Sequence, residues 1–270
     1  MFIMMIGLPG SGKSTYAKTL DGVVLSSDEI RKDIGNPWNE MFRRTIELLK
    51  SGENVIYDAT NLFRKKRRAV ITEAKRYGKT KAVVMLTPLN ECLERNSRRV
   101  EKVPTEVIWK FEKNFEYPAP YEFDEVEVVQ NGIERVSIHD MPQDNPHHTL
   151  SLFEHMRKTG EIARTMTEDR GVITAAALHD IGKYYTKTYM TFKGDFSEVA
   201  HYYGHENVGA YMWLTSREFS PKVEKIGRLI NYHMRPFCWD SPKAQLQDAK
   251  DFGRMYEELE LIHKADVEAK

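Results

Sequence analysis

The segment Gly7-Leu8-Pro9-Gly10-Ser11-Gly12-Lys13-Ser14 constrains this 270-residue chain more than any other. It fits the pattern G-x-x-x-x-G-K-[ST], with the apolar run FIMMI (2–6) before it and a helix expected over Lys13–Leu20. A strand that feeds a glycine-rich turn and then a helix offers backbone N–H groups and a positive helix end to an anion. Gly7, Gly10, Ser11, Gly12, Lys13, Ser14 and Thr15 are therefore expected to cradle ATP or another nucleoside triphosphate. Lys13 would reach the β- and γ-phosphates, with the Ser14 hydroxyl on Mg²⁺.

The alternation of strand and helix continues. VVL (23–25), NVIYD (54–58) and KAVVML (81–86) read as strands. Helices are expected from Ser26, through a Ser26–Glu29 capping box, and over 38–50, 63–77, 89–99 and 105–116. Strands separated by helices imply a parallel sheet covered on both faces. EVEVVQ (125–130), Asn131-Gly132 and IERVSI (133–138) then read as a β-hairpin with a type I′ turn. HDMPQDNP (139–146) reads as a polar linker, and nearly everything beyond it as helical. The expectation is an α/β P-loop domain over 1–141, ending in the hairpin 125–138, and an all-α domain over 142–270.

Charge supports two chemistries. Residues 1–110 carry 21 Lys+Arg against 13 Asp+Glu, and residues 111–270 carry 19 against 27, although the whole chain balances at 40 and 40. All nine histidines fall at or after His139. A basic half suits a polyanion, and an acidic, histidine-rich half suits bound metal. The opening FIMMIG run is too short for a signal peptide or a membrane span. Cys92 and Cys238 make no disulfide framework and point to a reducing, cytoplasmic setting. No membrane partner is expected.

Several side chains could work beside the bound triphosphate. Asp28 follows the second strand, where a carboxylate can accept the proton of an attacking hydroxyl. Arg31 shares its helix face and could hold an acceptor phosphate. Asp58 ends the third strand and could serve Mg²⁺-bound water or the acceptor. Asn61 could cap the next helix. Arg95 and Arg99, four residues apart, suit a clamp on phosphates in the transition state. The run Arg64–Arg68 (RKKRR) reads as a polyanion-binding surface.

GLPGSGKST, SSDEIR, DATNLFRKKRR and ERNSRRVEKVP resemble, in order and spacing, the phage-type 5′-hydroxyl polynucleotide kinases over residues 1–117. That resemblance implies Asp28 as general base, Arg31 on the acceptor phosphate, and Arg95 and Arg99 as lid arginines on the nucleotide. It also implies a place for Asp58 near the acceptor, although Asp-Ala-Thr-Asn carries one extra residue.

In the second half, His179-Asp180 lies in AAALHDIGK, with His155, His205, His233 and Asp266 in other helical stretches. Imidazoles with carboxylates suit Mn, Zn, Fe, Ni or Co. The set H…HD…H…H…D resembles the HD phosphohydrolase superfamily across 146–270, and NPHHTLSLFEHM resembles the HD domain of bacterial tRNA-nucleotidyltransferases. The resemblance implies His155, His179, Asp180 and Asp266 on one transition-metal ion, His205 and His233 on a second, and Lys183 on phosphate. His147, His148 and His201 are candidates for substrate contact; His139 and His263 read as bystanders.

Together the halves suit RNA or DNA ends, with RNA favoured and tRNA among the candidates. A 5′-hydroxyl kinase would pair with a 2′,3′-cyclic phosphodiesterase and 3′(2′)-phosphatase in end healing. The alternative is a small-molecule kinase fused to an HD hydrolase of nucleotides or dinucleoside polyphosphates.

Overall fold

The computed structural model describes residues 1–146 and 149–269, so His147 and His148 lie outside it. It divides into two compact units, Met1–Gly132 and Ile133–Lys270. The boundary expected at 141/142 thus falls inside the second unit.

In the first unit, β1 (Phe2–Ile6), β2 (Val23–Ser26), β3 (Val55–Asp58), β4 (Thr80–Leu86) and β5 (Glu125–Gln130) form a parallel sheet in the order β2-β3-β1-β4-β5. Between them run α1 (Lys13–Ala17), α2 (Ser27–Ile34), α3 (Trp38–Lys50), α4 (Arg64–Ala74), α5 (Leu89–Ser97) and α6 (Thr105–Glu112). β1 is buried along its whole length, which is why it reads as an unbroken apolar run. Ile3 and Met5 pack with Ala17, Ile56, Val83 and Met85. β1 is flanked by β3 and β4, a strand-order reversal of the kind that opens a crevice at the carboxyl ends of the strands.

Four local expectations change. The hairpin 125–138 does not form: β5 pairs in parallel with β4, and residues 131–144 make no strand. Asn131 is committed elsewhere, its Nδ2 donating to the Ser11 carbonyl and the Thr87 Oγ1 at 3.3 Å each. The Ser26–Glu29 capping box is absent: Ser26 ends β2 in register with Asp58 and stands at the N-cap of α2, but its side chain makes no capping bond. Asn61 does not cap α4; its Nδ2 donates to the Met5 carbonyl at 2.7 Å and ties that loop to β1.

The fourth change concerns the basic run. Arg67 is not on a surface. The helical period places it with Val70, Ile71 and Ala74 on the buried face of α4. Its guanidinium forks onto Glu122 at 2.6 and 2.8 Å and donates to the carbonyls of Asn61, Leu62 and Glu116. Arg67→Ala leaves a buried carboxylate uncompensated and is expected to cost about 3–5 kcal/mol. Urea unfolding followed by circular dichroism reads this as a lowered midpoint; an unchanged midpoint would show that Glu122 finds another partner.

The second unit is mainly helical: α7 (Leu152–Met166), α8 (Arg170–Ala176), α9 (Lys183–Thr186), then β6 (Thr188–Met190) and β7 (Phe196–His201), then α10 (His205–Thr215), α11 (Pro221–Tyr232), α12 (Pro242–Phe252) and α13 (Arg254–Glu268). The antiparallel pair β6–β7 departs from the all-α expectation. A capping box does start α7, with Ser151 and Glu154 exchanging side-chain and backbone bonds. Helix α7 packs on α8 and α13, and α10 on α11. The segment read as a linker is tied down as well. Met141 and Gln143 are buried, and Asp140 accepts from the backbone N–H groups of Met141 and Phe153. Among the described residues no helix is long and apolar enough to cross a membrane.

Candidate active sites

The first unit holds a cavity of about 1200 Å³, lined by Gly10, Gly12, Lys13, Ser14, Thr15, Asp28, Arg31, Asp58, Arg95 and Arg99 among others. Gly10 has φ +83°, and a Cβ there would lie 2.4 Å from the Cys92 carbonyl oxygen, so the turn accepts only glycine. Lys13 is buried and donates to the Leu8 carbonyl at 2.7 Å. Burial lowers its pKa to about 8, against the pull of Asp58. Asp58 is buried too, which raises its carboxyl, while a hydrogen bond from Ser14 and the Lys13 charge oppose that rise. The Ser14 hydroxyl and the Asp58 carboxylate thus adjoin where a hard cation beside a triphosphate needs oxygen donors.

Asp28 sits at the exposed edge of the same cavity. Arg31 Nη1 is 3.1 Å from one of its oxygens and Arg99 Nη2 is 3.8 Å from the other. Arg95 is held by Glu91 one turn earlier on α5. Asn96 bonds Val103 in both directions, at 2.8 and 3.0 Å, and so clips the loop that carries Arg99.

In the second unit six residues from different elements converge. His155 comes from α7, His179 and Asp180 from the turn after α8, His205 from the start of α10, His233 from the end of α11 and Asp266 from α13. Asp180 stands between two groups. Its Oδ2 faces His179 Nε2 at 3.2 Å and His155 Nε2 at 3.6 Å, and Asp266 Oδ1 is 2.9 Å from His155 Nε2. Asp180 Oδ1 faces His205 Nε2 at 3.1 Å and His233 Nε2 at 3.7 Å. In each trio, His155–His179–Asp180 and Asp180–His205–His233, the donor atoms lie within 4.8 Å of one another.

Residues 2–118 match the family model described as an AAA domain, and residues 152–269 match the HD domain model. The chain joins a P-loop kinase-like domain to an HD domain. A relative, the L-seryl-tRNA(Sec) kinase of Methanococcus maripaludis, is 30% identical over 161 residues, covering 52% of this chain and 63% of that protein. A gluconokinase structure from Sinorhizobium meliloti aligns at 18% identity and a TM-score of 0.37, over 47% of this chain and 81% of that one. A chain of the Pnkp1/Rnl/Hen1 RNA repair complex aligns at 23% identity and a TM-score of 0.37, over 53% and 52%.

The HD-domain donor set fits divalent metal on its own chemistry. His179, His205 and His233 each place Nδ1 at 2.8 Å from a backbone carbonyl, of Ala176, Tyr202 and Ile230. That bond puts the proton on Nδ1 and turns the Nε2 lone pair inward. His179 Nε2 is buried, and although Asp180 Oδ2 is 3.2 Å away it has no well-aligned hydrogen-bond partner among the described residues. Burial disfavours charge on His179, yet Asp180 and Asp266 raise its pKa to about 10. Two buried carboxylates thus demand positive charge in their midst. Residues of the second trio and of the first could each hold one ion, with Asp180 shared.

Gly182 makes this convergence possible. A Cβ there would lie 2.0 Å from the carbonyl oxygen of His205, so only glycine lets the His-Asp turn approach α10. Gly182→Ala is expected to push His205 off Asp180 and weaken metal affinity on that side by about 10–100-fold. Calorimetric titration with Mn²⁺ measures this; wild-type affinity would show that α10 yields without moving His205.

Sequence reasoning missed Gln143, Glu91 and Asn96. Gln143 Oε1 accepts from Lys183 Nζ at 2.9 Å, while that ammonium lies 2.7 Å from Asp180 Oδ2. The signal was a lone glutamine in a stretch whose prolines and charges read as linker. His201 stacks on Tyr203, His139 on Tyr184 and His263 packs edge-on against Phe237, all outside the six-residue cluster.

Proposed function

We propose that this chain heals broken RNA ends. The kinase-like domain phosphorylates a 5′-hydroxyl, and the HD domain opens a 2′,3′-cyclic phosphate and removes the remaining 3′(2′)-phosphate. The observation that carries the reading is the pairing, in one chain, of two complementary phosphate sites. One is a cavity lined by Lys13, Asp58 and the Asp28–Arg31–Arg99 group; the other is a buried His/Asp set able to hold two ions.

In the kinase-like domain Asp28 takes the proton of the attacking 5′-hydroxyl, and Arg31 holds the neighbouring phosphate of the acceptor. Lys13, Arg95 and Arg99 bind the triphosphate and stabilise the charge that spreads over the transferred group. Asp58 and Ser14 hold Mg²⁺. In the HD domain His155, His179, Asp180, Asp266, His205 and His233 hold the metal, and Lys183 contacts the substrate phosphate. Divalent ions there supply positive charge to a phosphoester and lower the pKa of water. RNA is favoured over DNA as substrate, and the free cysteines Cys92 and Cys238 accord with a cytoplasmic setting.

A second reading is favoured by the Methanococcus relative, whose name gives an aminoacyl-tRNA as acceptor. There the hydroxyl phosphorylated would not be a 5′ end. One experiment decides. The protein is incubated with ATP, Mg²⁺, Mn²⁺ and an RNA bearing 5′-hydroxyl and 2′,3′-cyclic-phosphate ends, and both ends are followed by gel and mass spectrometry. A 5′-phosphate and a free 3′-hydroxyl are expected. Untouched ends would overturn the reading, and phosphate passed to a seryl-tRNA in a parallel incubation would favour the second.

A further inference from the structure

Two aromatic side chains on α3 stay outside the core. Trp38 is 42% exposed and Phe42 37%, while Met41 and Thr45 on the same helix are fully buried. They are one turn apart, on one strip of the helix, and both line the cavity that holds Asp28 and Lys13. At about 1200 Å³ that cavity exceeds the roughly 300–1,000 Å³ that encloses a single small molecule. It has room for an acceptor beside a triphosphate.

Helix α3 packs against both α2, which carries Asp28 and Arg31, and α4, which carries Lys65 and Lys66. Lys65 and Lys66 are exposed and also line the cavity, with the Lys66 ammonium 5.1 Å from the centre of the Phe63 ring. No carboxylate is paired with Lys65 among the described residues. Aromatic faces flanked by cations match single-stranded nucleic acid, in which each base has a π-face and each link a negative charge. A small uncharged hydroxyl compound has no phosphate for the lysines to meet.

We infer that Trp38 and Phe42 form a stacking platform for the 5′-terminal base of a single-stranded polynucleotide. Lys65 and Lys66 take its following phosphates, and Asp28 faces its 5′-hydroxyl. This rests on the kinase reading above and adds a binding site that sets acceptor class and length.

The test compares a short single-stranded RNA carrying an intact 5′-terminal nucleotide with the same RNA made abasic there. Wild-type protein is expected to favour the intact RNA by about tenfold in kcat/KM, the scale of one stacked base. Trp38→Ala and Phe42→Ala are expected to shrink that preference toward unity, and Trp38→Phe to keep most of it. A preference that survives in both alanine variants overturns the platform while leaving the kinase reading intact, as does an equal loss on both RNAs.

A second measurement needs no transfer. RNA with a 5′-deoxy end, which cannot accept phosphate, should quench the fluorescence of wild-type protein but not of Trp38→Phe, which keeps Trp109, Trp213 and Trp239. Equal quenching in the two proteins overturns the platform. Quenching specific to Trp38, with no phosphate passed to any RNA, upholds the platform and overturns the kinase reading.

Discussion

Lys13→Ala and Asp28→Ala are each expected to abolish phosphate transfer to a 5′-hydroxyl end, by separable routes. Lys13 lies inside the P-loop, buried against Leu8, so its loss removes charge from the triphosphate and weakens nucleotide binding. Asp28 sits at the exposed cavity edge between Arg31 and Arg99. Its loss removes the proton acceptor, and a general base typically contributes about 10²–10⁴-fold. Nucleotide affinity should then hold in Asp28→Ala while turnover collapses. Equilibrium binding of a fluorescent ATP analogue, beside single-turnover transfer, separates the two. Near wild-type turnover in Asp28→Ala would remove that carboxylate from the chemistry.

The second large effect concerns Asp180. One carboxylate supplies an oxygen to each histidine pair, so Asp180→Ala should lose both ions. His233→Ala should lose chiefly the ion on the Asp180–His205–His233 side, and His155→Ala the other. Plasma mass spectrometry of dialysed protein gives the stoichiometry directly. All three variants should lose phosphate removal from the 3′ end and keep 5′ phosphorylation, because the two residue sets lie in separate compact units. Full metal content in Asp180→Ala would mean that Asp180 is not shared, and loss of 5′ phosphorylation in a folded variant would mean that the activities share a site.

What could be read beforehand follows a physical line. The P-loop, the strand end carrying Asp58, the helix start carrying Asp28, and the six histidines and aspartates are each announced by local spacing or by chemistry rare in a core. Partners distant in the chain are not. Asn131-Gly132 has the composition of a tight turn, yet Asn131 is held by Ser11 and Thr87, and no window around 131 contains them. Arg67 looks like its neighbours in a basic run until Glu122, 55 residues on, claims it. Gln143 looks like linker until Lys183, 40 residues on, reaches it. A short hairpin such as β6–β7 has too little alternation to stand out from the helices around it.

The resting place of Lys13 has a thermodynamic consequence. With its pKa near 8, part of the population gives up the lysine proton just above neutrality. Phosphate oxygens arriving beside it stabilise the charged form and raise that pKa, so nucleotide capture draws a proton from solution. Affinity is then at its full value below about pH 8 and falls as pH rises through that value, by up to about tenfold per unit until the raised pKa of the complex is passed. The same linkage makes the observed heat of nucleotide binding depend on the ionisation enthalpy of the buffer, so calorimetry in buffers of different enthalpy would count the protons taken up.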